Sequence, residues 1–124
     1  MEQVKFFTPK EANQTLPLVK RIVEDILKTG QNIRTLSMTI EHPEEDPEIN
    51  RLMDQLDELF EELEALGCSY KDWNFTAGLV DFPCMMNGRE VLLCWQSDED
   101  QVQYYHDVES GFAGRRLIPK ELFV

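Results

Sequence analysis

His106, Asp107 and Glu109 fall within four positions of one another, inside the stretch YYHDVESGFAGRR at residues 104–116. Imidazole and carboxylate are donors that divalent transition metals accept, so these three are the best metal-ligand set on the chain. His106 is also a candidate catalytic base, with Asp81 or Glu109 as its carboxylate partner. The same stretch ends in SGFAGRR. Gly111 and Gly114 permit a tight turn with exposed backbone amides, and Arg115 and Arg116 follow at once. Amides beside arginines form an anion site for a carboxylate or phosphate. In the competing reading the glycines turn the chain, Phe112 plugs the core, and one arginine pairs with a carboxylate such as Asp81 or Glu109.

Other chemistry-bearing sets are weaker. His42 with Glu41, Glu44 and Glu45 reads as a solvated acidic connector. Cys68, Cys84 and Cys94 are odd in number and form no CxxC pair, which fits free, buried thiols in a reducing cytoplasm. No HExxH, EF-hand loop, P-loop or GxSxG occurs in the sequence.

The elements that must position these groups are legible in the periodicity. FTPKEANQ opens a first helix: Thr8 caps, Pro9 takes the first helical position and Glu11 completes a capping box. Ala12, Leu16, Val19, Val23, Ile26 and Ile33 then recur in steps of three and four, so a helix is expected over about 9–40, bent near Pro17. The connector EHPEEDP, residues 41–47, cannot continue it. Asp46 and Pro47 start a second helix whose leucine-rich stripe runs to Gly67. Residues 9–67 therefore read as an antiparallel helical hairpin. From 68 to 124 the period changes to two. GLVDFPCMM, REVLLCWQ and QVQYYHDV are strand candidates, and CSYKDW offers a short fourth. The fold class is α+β, a helical hairpin on one face of a small antiparallel β-meander of three to four strands, in a single domain over 1–124.

Register turns this sheet into a map. An Asn87-Gly88 turn pairs Cys84 with Val91, Phe82 with Leu93 and Val80 with Trp95. A turn centred on Asp98 and Glu99 would pair Leu93 with Tyr104 and Val91 with His106. That places His106 on the apolar, helix-facing side. Asp81 and Cys94 become neighbours on the outer side, with Asp107. A lone histidine on an apolar face is more often a core residue than a ligand. An aspartate beside a thiol raises the thiol's pKa, the wrong direction for a nucleophile. Shifting the second turn by one residue would exchange Tyr104 and His106 with Tyr105 and Asp107.

Charge narrows the partners. The chain carries −12, and Glu41–Glu64 holds eleven acids against Arg51 alone, which leaves −2 for the rest. Without a basic patch, neither nucleic acid nor an anionic membrane is an expected partner. No apolar run is long enough to span a bilayer, and MEQVKFFTPKEANQ lacks the apolar core of an export signal, so a cytoplasmic location is expected.

Taken together, FTPKEANQTLPLV, GLVDFP, GREVLLCW, YYHDVESGFAGRR and a final IP resemble the uncharacterised prokaryotic family called domain of unknown function 2203, over essentially the whole chain. The resemblance implies a prokaryotic origin and an intact domain, and it draws attention to Asp81, His106 and Arg115. It implies no activity. The favoured expectation is a non-enzymatic binding or protein-interaction module, as a homodimer or with another protein partner. The alternative is a metal- or anion-dependent, hydrolase-like enzyme built on His106, Asp81, Glu109 and Arg115. A divalent metal is a candidate cofactor but is not favoured.

Overall fold

The computed structural model describes residues 4–124, so the first three residues of the stretch read above for an export signal lie outside it. Helix α1 spans Pro9–Thr39 and runs through Pro17, and helix α2 spans Pro47–Leu66. Both begin as their sequences require. The Thr8 hydroxyl accepts from the Glu11 N–H while the Glu11 carboxylate accepts from the Thr8 N–H, and the Asp46 carboxylate accepts from the Ile49 N–H. Gly67, at φ +98°, ends α2 in the left-handed conformation that a residue with a Cβ resists. The acidic connector is ordered as a short 3-10 turn over Pro43–Glu45.

The sheet holds five antiparallel strands in chain order: β1 Ser69–Tyr70, β2 Leu79–Met86, β3 Arg89–Gln96, β4 Tyr104–Asp107 and β5 Arg116–Leu117. The count exceeds the expected three to four because the arginine-bearing tail turns back after Gly114 and pairs with β4, Tyr105 opposite Arg116. Two-residue pairings carry little periodicity, so β5 leaves almost no trace in the sequence.

The helical hairpin packs on one face. Leu16, Val19, Val23 and Ile26 of α1 and Leu56, Leu59 and Leu63 of α2 join Val80, Phe82, Leu93 and Trp95 in one core. Phe7 meets Phe82 edge to face at 5.2 Å between ring centres. The β2–β3 register follows from the turn: Asn87 and Gly88 both hold positive φ, and Phe82 lies opposite Leu93.

The β3–β4 register differs from the expected one by a residue. Leu93 pairs with Tyr105 and Leu92 with His106, in place of Leu93 with Tyr104 and Val91 with His106. The cause lies in the connection. The Glu99 N–H donates to the Gln96 carbonyl, and the Trp95 indole N–H donates to the Glu99 carbonyl. Beyond this turn, Asn13 of α1 acts as a surrogate strand. Its Oδ1 accepts from the Val102 N–H at 2.7 Å, and its Nδ2 donates to the Val102 carbonyl at 3.2 Å. Val102 and Tyr105 both pack towards the core, three positions apart. Strict alternation cannot do this, so one extra residue is accommodated between them. Every side chain of β4 is thereby moved to the face opposite to the expected one, and His106 points away from the helices.

Candidate metal centre on the outer face of the sheet

The outer face brings together Asp81 from β2, Cys94 from β3 and His106 from β4. Asp81 lies directly opposite Cys94, and His106 sits diagonally across β3, opposite Leu92. One ligand atom from each of the three lies within 4.8 Å of the others. All three residues are buried, with at most 4% of their surface exposed. His106 Nε2 stands 3.3 Å from Asp81 Oδ1, although the two strands are not neighbours. The expectation that these residues open on opposite faces is thus corrected.

The histidine's orientation is set by its other nitrogen. His106 Nδ1 lies 2.8 Å from the backbone carbonyl of Asp107. A carbonyl only accepts, so Nδ1 carries the proton and donates it. In the neutral ring Nε2 then holds a lone pair that faces Asp81 and Cys94. This is the arrangement by which metal-binding histidines are oriented, a backbone carbonyl holding the remote nitrogen.

The two acids of the cluster are held towards their protonated forms. Burial raises the Asp81 pKa above the ordinary carboxylate range. His106, by its charge and its hydrogen bond, and then Lys71 oppose this rise. Burial, then the Asp81 charge, pushes the Cys94 thiol up to about 12, with Arg115 opposing. A thiol held so high is a poor nucleophile. Cys68, also pushed up to about 12, and Cys84, raised by burial, are no better suited to redox chemistry. A cation among Asp81, Cys94 and His106 would reverse the preference, because it replaces the protons that burial favours.

The cluster forms the floor of a cleft of about 280 Å³, which Lys71, Leu79, Leu92, Val108, Gly111 and Phe112 complete. Around it the arginine-bearing segment departs from both readings: the arginines are paired with carboxylates, but Arg115 takes Glu99 rather than Asp81 or Glu109, and Phe112 is exposed at the outer cleft rather than plugging the core. Arg115 donates twice to the Glu99 carboxylate, at 2.7 and 2.8 Å, and once to the Cys94 carbonyl at 3.0 Å. Its guanidinium lies 4.1 Å from the Tyr104 ring centre and 4.7 Å from that of Phe112. This stack clamps the segment to the rim of the cleft. Arg116 lies 3.4 Å from Asp107, which also accepts from Arg89 at 3.0 Å. Gly111 holds φ +66° at the cleft wall, whereas the Gly114 N–H donates to the Gly111 carbonyl.

The set His106, Asp107 and Glu109 is not brought together. Alternation sends the Asp107 side chain to its arginine partners on the other face, and Glu109 is exposed past the strand end. His42, 3.7 Å from Glu44, belongs to the exposed connector. Motif reading overlooks Cys94 as a member of the cluster, and it does not point to Lys71. The β2–β3 turn already makes Cys94 a neighbour of Asp81; only the face of His106 was missing.

A family model described as "Uncharacterized conserved protein (DUF2203)" matches residues 5–118, and the chain belongs to that family. No curated protein and no solved structure shows a significant match to the chain.

Proposed function

We propose that this member of the family binds one divalent transition-metal ion of the zinc class through Asp81 Oδ, Cys94 Sγ and His106 Nε2, leaving a fourth position open to the cleft. The observation that supports this reading is the convergence of three unlike ligand atoms within 4.8 Å on a buried floor. A tetrahedral zinc site needs ligand separations of about 3.4 Å between nitrogen and oxygen and about 3.6 Å to sulfur. The 3.3 Å between His106 and Asp81 meets the first of these already. A mixed sulfur, nitrogen and oxygen set favours zinc-class ions over magnesium or calcium, which prefer oxygen alone. Three protein ligands with one open position is the pattern of catalytic rather than structural zinc sites.

The test is metal content of protein purified without an affinity tag or chelator, followed by zinc titration against a chromophoric chelator. We expect about one ion per chain, and a loss of more than about 100-fold in affinity for both His106→Ala and Cys94→Ser. Circular dichroism establishes that the variants are folded. Wild-type protein that neither carries nor takes up zinc, or a folded His106→Ala that binds it equally well, would remove the reading.

A further inference from the structure

We infer that the open position and Lys71 together bind a small carboxylate whose apolar substituent lies against Leu79, Leu92, Val108 and Phe112. The inference rests on the metal centre proposed above.

Lys71 directly follows β1. Tyr70 points into the core, so alternation sends the Lys71 side chain to the outer face. Its backbone N–H donates to the Leu79 carbonyl at 2.8 Å, which holds it beside the strand that carries Asp81. Its side chain lines the same cleft as Asp81. Lys71 is the one lysine or arginine lining the cleft, and Asp81 is the one carboxylate, among the described residues.

Charge decides the ligand class. A divalent ion with ionised Asp81 and Cys94 is neutral, and Lys71 adds one positive charge. A monoanion balances the site, whereas a phosphate dianion leaves an uncompensated charge near buried groups, which is costly. The arginines offer no alternative anchor, because Glu99 engages Arg115 and Asp107 engages Arg116. One carboxylate oxygen takes the metal's open position and the other accepts from Lys71. The remaining walls are the side chains of Leu79, Leu92, Val108 and Phe112, and 280 Å³ accommodates a short chain or a ring.

Cobalt(II) in place of zinc makes the experiment optical. A thiolate charge-transfer band reports loading through Cys94, and the visible d–d bands report what occupies the open position. Loaded wild-type protein is titrated with butyrate, with neutral butyramide and with inorganic phosphate, and Lys71→Met is treated alike. We expect butyrate to shift the d–d bands with saturation, phosphate to bind at least tenfold more weakly and butyramide to do nothing. Lys71→Met should keep the charge-transfer band and weaken butyrate at least tenfold. Loading without a butyrate response, butyrate binding that survives Lys71→Met, or phosphate that binds more tightly than butyrate would each overturn this inference and leave the metal centre standing. If cobalt gives no thiolate band, the metal reading fails and this inference falls with it.

Discussion

The two faces of the sheet are made from the same strands, yet opposite physical rules shape them. The inner face is closed by two helices and filled mainly with side chains that have no polar atoms to satisfy, Val80, Phe82, Leu93 and Val91 among them. Among the described residues no α-helix lies over the outer face. Its buried part holds an aspartate, a thiol and an imidazole, roofed by the 108–115 segment that Arg115 clamps. Burial on the inner face stabilises directly through apolar area removed from water. Burial on the outer face raises the cost of leaving charges unpaired, and so prepares the cluster for a cation. The inner face is the support on which the outer-face cluster is held.

This contrast can be broken from the inside outwards. The largest effect is expected for Phe82→Ala, which empties a fully buried ring position next to Phe7. A loss of about 3–5 kcal/mol in denaturant unfolding is expected, with metal binding lost only as the chain unfolds. If the variant stayed as stable as wild type, the inner face would not be the support described here.

Asn13→Ala should have an intermediate effect. It removes the surrogate strand at Val102 and leaves a buried N–H without a partner, at a cost of about 1–3 kcal/mol. Because this contact helps to set the β4 register, zinc affinity should fall along with stability. Faster amide exchange from Tyr104 to Asp107 would locate the damage. An Asn13→Ala protein that loses stability but binds zinc unchanged would mean that the strand holds its register without help from α1.

The smallest effect on stability concerns the outer face alone, and it is read as a pH slope. With its thiol pushed up to about 12, Cys94 is protonated at neutral pH and must release that proton when a metal binds. Lower pH therefore weakens binding, and this group alone makes affinity rise about tenfold per pH unit through neutrality. Cys94→Ser should bind more weakly and with a flatter pH dependence in the same chelator titration. Equal slopes in the two proteins would show that Cys94 is not a ligand.

Local signals carried much of this molecule. The Thr8–Glu11 capping box, the Asp46–Pro47 start, Gly67 and the Asn87-Gly88 turn each act over a few residues, and each is where its own chemistry requires. They determined two helices, the β2–β3 hairpin and the adjacency of Asp81 and Cys94. What only the tertiary structure decided is the face of His106. That depends on Asn13 reaching Val102 across 89 positions of sequence, and on Glu99 holding the turn while it pairs with Arg115. In a strand a single residue of slip reverses every side chain. A contact made by a distant helix therefore separates a histidine packed in the core from one that meets an aspartate and a thiol at the floor of a cleft.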